Sequence, residues 1–129
     1  MKVLVLSDGE FTTKEIGNNL EDLQNIVGGY IEIPFLSQKF LEHDIDIIIN
    51  EEGKFIDELT PEIAVMQKGT NNILDIVYGN CIFASHDDEG NTVSLNNEQI
   101  KIVAEELNTD ILLSNKEENK MFFVKALFI

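Results

Sequence analysis

The most informative stretch of the chain is residues 73–107, because its second half carries a full set of helix-start signals. Asn96 can cap a helix with its side-chain oxygen, and Gln99 can reach back to the N–H of that cap, which is the capping-box pattern. Leu95 and Ile100 stand where a hydrophobic staple would close. The spacing of the apolar residues that follow predicts one buried helical face. These residues are Ile100, Val103, Ala104 and Leu107.

The first half of the same stretch predicts a strand over 73–86, a tight turn at 87–91 and a short returning segment. The turn sequence DDEGN superficially suggests a calcium loop. Aligned on Gly90, position one of such a loop would be Ser85 and position twelve Asn96, so both key carboxylates are missing. A type I turn with a glycine bulge is the better interpretation.

The N-terminal part predicts a strand, a helix and a glycine stop. Residues 1–7 form a nearly continuous apolar run, typical of a strand buried on both faces, and 7–9 (SDG) predict a turn. Asn18 or Asn19 can cap a short helix that ends at the double glycine 28–29. Its inward residues are predicted to be Leu20, Leu23, Ile26 and Val27.

The middle of the chain predicts two alternating strands and a further helix. Residues 30–35 (YIEIPF) alternate, with Ile31, Ile33 and Phe35 on one face, and Pro34 makes this strand an edge or ends it. Residues 44–50 (DIDIIIN) alternate again, with Ile45, Ile47 and Ile49 inward, and the EEG at 51–53 predicts a hairpin turn into 54–56. Thr60 and Pro61 are typical of a helix start.

The end of the chain predicts a hairpin, formed by 111–113 and 121–129 across a turn at 115–119. The last strand is so apolar that it must be central in the sheet or covered by a partner, since a bare edge of this kind invites aggregation. We therefore expect an α+β fold: a single domain with a mostly antiparallel sheet and two or three short helices. Its core would span 1–107, and 108–129 would be a C-terminal hairpin extension of the same domain.

The charge is the unusual feature of the composition. Twenty-four acidic residues stand against nine lysines and no arginine, which gives a net charge of −15. Such a field repels nucleic acid and attracts basic proteins, although solubility alone also explains it. The chain shows neither a signal-peptide pattern at its start nor a membrane-length apolar run, and it has one cysteine. We expect a cytoplasmic protein that contacts neither membrane nor nucleic acid directly.

Few residues suggest chemistry. Cys81 lies in an apolar run and is expected to be a core residue, and His43 and His86 are expected at the surface, without the spacing of a zinc site. Asp44 and Asp46 share one strand face, where they would hold Mg²⁺ or act as acid and base, or simply face solvent. Motifs for phosphate binding, a nucleophile elbow or a zinc protease are absent. We therefore predict no catalytic, cofactor or metal residue.

Two sets of residues are candidates for contacts with other proteins. The predicted contact carboxylates are Glu42, Asp44, Asp46, Glu51, Glu52, Asp57, Glu58, Asp87, Asp88 and Glu89. The residues predicted to form a homo-oligomer, or to add a strand from a partner, are Met121, Phe122, Phe123, Val124, Leu127 and Phe128.

Several segments in order resemble the domain-of-unknown-function family 3846. The resembling segments are MKVLVL at the start, LEDLQNIVGGYIE (20–32), NEEGK (50–54) and DIVYGNCIFASHDDEGNTVSLNNEQI (75–100). The chain departs from the family in the more apolar stretch after NEEGK and in the hairpin 111–129. The family has no assigned catalytic residues, so the resemblance implies none here. It implies a setting in phages, plasmids and integrative elements of low-GC Gram-positive bacteria, where counter-defence proteins are common.

These observations lead to three functional hypotheses. The first is a non-enzymatic accessory protein of a phage or mobile element, whose acidic surface occupies a basic site on a host protein, such as a defence nuclease, and inhibits it. The second is an oligomeric protein that binds a small molecule or a nucleotide signal and so acts as a sponge. The third, and least favoured, is a metal-dependent hydrolase built on Asp44 and Asp46.

Overall fold

The structure is a computed structural model and describes residues 1–56, 58–115 and 117–129. Its elements in chain order are β1 (Lys2–Ser7), β2 (Glu10–Glu15), α1 (Leu20–Val27), β3 (Ile31–Glu32), α2 (Gln38–Glu42), β4 (Ile45–Asn50), β5 (Pro61–Met66), β6 (Ile73–Tyr78), β7 (Cys81–His86), β8 (Thr92–Val93), α3 (Asn97–Glu106), β9 (Thr109–Asn115) and β10 (Lys120–Phe128). The expected α+β domain with short helices and mostly antiparallel strands is confirmed.

The strands form two sheets. The first has the order β2-β1-β7-β4-β3, with β8 also paired to β7, and the second has the order β6-β5-β10-β9. Among these pairings, only that of β5 with β10 is parallel. The largest hydrophobic cluster joins both sheets, with Leu6 and Phe83 from the first and Ile63 and Leu127 from the second. The first sheet has a second cluster, to which α1 contributes Leu23.

The two strongest helix predictions are confirmed. Asn19 caps α1, and Gly28 ends it in the left-handed region at φ 84°. Both halves of the capping box at Asn96 and Gln99 are present in α3. Leu20 was expected to face inward but is 56% exposed.

The buried face of α3 is shifted from the predicted one. Val103 and Leu107 are buried as expected, and Ile100 packs at the edge of the core. Ala104 is exposed, and Ile102 is buried in its place. The larger side chain therefore faces the core, where it removes more apolar surface from water than alanine would.

The single strand predicted over 73–86 is wrong. The chain makes β6 in the second sheet, turns at residues 79–80, and enters the first sheet as β7. Gly79 adopts φ 84°, and its N–H donates to the carbonyl of Thr60 at 2.8 Å. Both strands are apolar, so the periodicity hid the break, and Gly79-Asn80 was the turn signal that marked it.

Strand β2 was missed because it has no apolar alternation; five of its six residues are exposed. It nevertheless pairs with β1 over its whole length. Asp8 and Gly9 join the two strands, with φ values of 52° and 79°. Positive φ at both central residues is what a tight two-residue hairpin turn requires.

The region around β3 and β4 differs from expectation in two places. Strand β3 contains only two residues, so Ile33 and Phe35 do not point into the core; they are 49% and 66% exposed. Pro34, which has no N–H to donate, is the second residue after β3. The predicted hairpin at 51–53 is absent, and the chain instead forms a 3-10 turn at Gly53–Phe55.

The helix predicted from Thr60 and Pro61 is also wrong. These residues lead into β5, which lies between β6 and β10 and is buried at all six positions. Proline occupies the first residue of the strand, one of the positions where a sheet accepts it. The C-terminal hairpin is confirmed as β9 and β10, and β10 lies inside the second sheet. Among the described residues, no helix has the length and apolar character needed to cross a membrane.

Glu62 connects the two sheets. It lies on β5, is 1% exposed, and accepts the backbone N–H groups of Asp8 at 2.8 Å and Gly9 at 2.9 Å. Burial raises the pKa of its carboxyl group, against the lowering effect of these two hydrogen bonds. The β1–β2 turn is thus held to the second sheet by a carboxylate that is costly to keep charged.

We expect Glu62 to stabilise the fold on mild acidification. The pKa of its carboxyl group is higher in the folded than in the unfolded chain. The resulting contribution to the free energy of unfolding is therefore fully present below the unfolded pKa of 4.5 and is lost as the pH rises through the folded pKa. The free energy of unfolding, measured by urea titration at several pH values, should therefore rise on acidification relative to that of Glu62→Gln. Glu10→Gln, an exposed control, should show no such difference, and parallel curves for wild type and Glu62→Gln would contradict the assignment.

Candidate protein-binding surface

Strand β4 is incompletely covered on one side. It pairs with β7 along residues 45–48, whereas β3 pairs only with Ile49 and Asn50. Segment 33–37 follows β3 on this open side, and within the described ranges no backbone hydrogen bond joins the segment to β4. A cavity of about 170 Å³ is lined by residues of this segment together with Ile45, Asp46 and Ile47.

Four large apolar side chains are exposed around this open side. Ile33, Phe35 and Leu41 line the cavity and are 49%, 66% and 54% exposed. Phe55, 85% exposed, lines a second cavity of about 170 Å³. The two cavities share Pro34 and Leu36, so they adjoin each other. Exposed apolar groups that gather around adjoining cavities are typical of interaction sites.

Carboxylates lie at both ends of β4. Glu42, Asp44 and Asp46 are at its start, and Glu51 and Glu52 follow its end. A six-residue strand is about 20 Å long, so the two groups are separated by roughly that distance. We name the four exposed apolar residues and these five carboxylates the β4-edge surface. Its members are Ile33, Phe35, Leu41, Phe55, Glu42, Asp44, Asp46, Glu51 and Glu52.

His86 lies between two of these carboxylates. Its Nδ1 is 3.0 Å from Oδ2 of Asp46, and its Nε2 is 3.4 Å from Oδ1 of Asp44. Asp44 and Asp46 therefore both contact the same histidine on β7. The sequence had suggested that these two aspartates either bind magnesium or simply face solvent. Within residues 1–56, 58–115 and 117–129, no group of three or more His, Cys, Asp or Glu is arranged to hold a metal ion.

The side chain of Gln99 fixes this end of the surface. Its Nε2 donates to the carbonyl of His43 at 2.9 Å and to Oγ of Ser85 at 3.0 Å, while its Oε1 accepts the N–H of Asn96. Ser85 Oγ in turn donates to the carbonyl of Asp44 at 2.7 Å. Asp44 has φ 55°, a conformation that non-glycine residues seldom adopt, and these hydrogen bonds stabilise it there.

The remaining predicted contact carboxylates lie elsewhere. Asp87, Asp88 and Glu89 form the exposed turn between β7 and β8, where Gly90 has φ 83° as the glycine-bulge interpretation requires. The backbone N–H and the side-chain amide of Asn91 donate to Asp87 and lower its pKa. Glu58 lines a different groove, beside β6 and the β9–β10 turn, and Asp57 lies outside the described residues.

The predicted interface on the last strand needs correction. Strand β10 lies between β5 and β9: its residues 120–126 pair with β9 and its residues 125–128 pair with β5, so no partner strand can add to those sides. Val124 and Leu127 are 1% and 0% exposed and cannot contact another protein. Phe122 is partly buried, and the other three predicted residues remain exposed. These are Met121, Phe123 and Phe128.

Cys81 is a core residue, as expected. It is fully buried on β7, and burial, together with the charge of Glu62, raises the pKa of its thiol well above the usual value. A thiol in this environment is a poor nucleophile because the thiolate is the reactive form.

The apolar part of the β4-edge surface escaped the sequence prediction. Ile33 and Phe35 were predicted to share one face of a strand, and Leu41 and Phe55 were not singled out at all. Pro34 between Ile33 and Phe35 was the available signal, since a proline there ends the pairing with β4. The carboxylates at both ends were predicted as surface residues, and the described ones are exposed or, for Asp46, partly exposed.

The fold and surface define a small α+β domain of two packed sheets with an acidic and apolar strand edge. The chain belongs to the family described as Domain of unknown function (DUF3846), whose model matches residues 1–108. The matched region ends just before β9, so the C-terminal hairpin lies beyond it. No curated protein and no solved structure matches the chain.

We expect Gln99→Ala to destabilise the start of β4. The substitution leaves the carbonyl of His43 and the hydroxyl of Ser85 without this donor and removes half of the capping box, at a cost of about 1–3 kcal/mol in the free energy of unfolding. Hydrogen exchange of the amides of residues 43–46 should accelerate more than that of β1. Gln38→Ala is the matched control, since its exposed side chain makes only a 3.5 Å contact to Glu42. Equal effects of the two substitutions would show that the Gln99 network does not organise this surface.

Proposed function

We propose that the protein acts without catalysis, by stoichiometric binding of a basic partner protein through the β4-edge surface. The observation that carries the proposal is the arrangement of four exposed apolar side chains between two groups of carboxylates. Apolar groups supply most of the free energy of association, and the carboxylates select partners of opposite charge.

The net charge of −15 supports a basic partner. A field of this sign accelerates the approach of a cationic protein and opposes the approach of nucleic acid. The surface carboxylates carry the same sign of charge as the phosphate backbone that a nucleic-acid-binding protein normally contacts. A basic groove of a nuclease is therefore a partner surface of matching chemistry.

Membership of the family is consistent with the biological setting that we propose. The protein would be an accessory protein of a phage or mobile element, acting in the cytoplasm of a bacterial host and inhibiting a defence factor. Inhibition would follow from occupation of the basic site, and it requires no catalytic residue in this chain.

Neutralising the carboxylates of the β4-edge surface should weaken binding of the partner. The test compares Glu42→Gln, Asp44→Asn, Glu51→Gln and Glu52→Gln, combined in one protein, with a control that carries the same charge change elsewhere. The control substitutions are Glu10→Gln, Glu15→Gln, Glu105→Gln and Glu117→Gln. Partner proteins are captured from a host lysate and identified by mass spectrometry, and affinities for the purified partner are then measured by calorimetry. We expect a loss of at least about tenfold for the first protein, since each tenfold is about 1.4 kcal/mol.

Two results would contradict this function. The first is an equal loss of affinity for the two charge-matched proteins, which would reduce the effect to net charge. The second is binding that is undiminished above about 0.5 M salt, because screening at that ionic strength weakens exposed charge pairs.

Binding of a small molecule or nucleotide signal, as an oligomeric sponge, is the second candidate function. It is favoured by a groove of about 880 Å³ beside β6 and the β9–β10 turn, which has the size of a ligand site. Lys54 and Lys120 line this groove and could attract an anion, together with Tyr78 and Phe122. Mass spectrometry of small molecules released from the purified protein separates the candidates, since only the second predicts a stoichiometric ligand.

A further inference from the structure

Strand β9 is an unusually open sheet edge. It forms the end of the second sheet, and its seven residues pair with β10 in one continuous register without a bulge. Its sequence, TDILLSN, contains no proline and no lysine. Proteins normally protect sheet edges with proline or lysine, with bulges, or by keeping the edge strand short, because an open edge pairs readily with another strand.

The other three terminal strands of the two sheets carry such protection. Strand β6, at the opposite end of the second sheet, has two register shifts against β5, and its Asp75 forms an ion pair with Lys54. In the first sheet, β2 presents charged side chains, including Lys14. Strand β3 has only two residues and is followed by Pro34. Among the four terminal strands of the two sheets, β9 is therefore the one that lacks these features.

The sequence of β9 is complementary to itself. If the β9 strands of two copies pair antiparallel about a two-fold axis at Leu112, apolar residues lie opposite apolar residues and polar residues lie opposite polar ones. The opposed pairs are Leu112 with Leu112, Ile111 with Leu113, Asp110 with Ser114, and Thr109 with Asn115. No two carboxylates face each other, and Asp110 is already paired with Lys125 at 2.8 Å.

Exposed apolar side chains adjoin the same axis. Phe123 on β10 is paired with Leu112, and the two are 71% and 47% exposed. Across the two-fold axis they would form one row: Phe123, Leu112, and the Leu112 and Phe123 of the second copy. Cross-strand apolar rows of this kind stabilise sheets, and the row would be removed from water on pairing.

We propose that two copies of this chain associate through β9, so that their second sheets form one continuous eight-stranded sheet. This interface is separate from the β4-edge surface and does not depend on the proposed partner. Each copy carries a charge of −15, so long-range repulsion opposes the dimer and salt should strengthen it. The dependence on salt is therefore opposite to that expected for the basic partner.

Two substitutions with the same charge change distinguish this pairing from a general charge effect. Leu112→Lys places two cations opposite each other at the axis, whereas Ser114→Lys places a cation opposite Asp110 of the second copy. By sedimentation equilibrium, we expect Leu112→Lys to weaken dimerisation by about tenfold or more and Ser114→Lys to strengthen it. Leu74→Lys, on the other edge of the same sheet and 54% exposed in the wild type, should leave it unchanged. Circular dichroism verifies that each variant is folded.

Three outcomes would overturn the proposal. One is a wild-type protein that stays monomeric at about 100 µM in about 0.5 M salt, where repulsion is screened. Another is a shift of Leu112→Lys and Ser114→Lys in the same direction, which would show that the residues opposite them across the proposed axis do not determine the association. The last is an equal weakening by Leu74→Lys, which would place the interface elsewhere.

Discussion

The hydrogen bonds of Gln99 are the interaction on which the candidate surface most depends. One side chain closes the capping box of α3, holds the carbonyl of His43, and positions Ser85, which in turn holds Asp44 in a left-handed conformation. These partners come from three parts of the fold, namely the N-terminus of α3, the α2–β4 connection and β7. In the sequence, Gln99 indicates only local helix capping. In the structure, its side chain also makes the long-range contacts that fix the backbone at the start of β4.

The physical character of the β4-edge surface follows from what β4 lacks. Because β3 is short and Pro34 ends its pairing, the chain leaves β4 and exposes Ile33 and Phe35, which a longer strand would have kept in the sheet. Acidic residues at both ends of β4 then surround an apolar centre. A centre that excludes water, with charges around it, is the usual composition of a protein interface.

The sequence predicted those parts of the fold whose signals are local. Strand β1, the glycine stop at Gly28 and the capping box of α3 were all correct, because each depends on neighbouring residues. Strand β5 was mistaken for a helix, since Thr60 and Pro61 imitate a helix start and only pairing with β6 and β10 makes the segment a strand. Strand β2 is a strand because its backbone pairs with β1, and no apolar pattern in the sequence marks it. The acidic half of the site was predictable from charge, whereas its apolar half depends on the place where pairing with β4 stops.

The most direct test of the binding account is a hydrogen-exchange footprint of the complex with the captured partner, compared with the protein alone. The account predicts slower exchange in residues 33–36, 41–46 and 51–55, which carry the β4-edge surface, and unchanged exchange along β2. Protection confined to β9, or to the groove lined by Lys54 and Lys120, would contradict it.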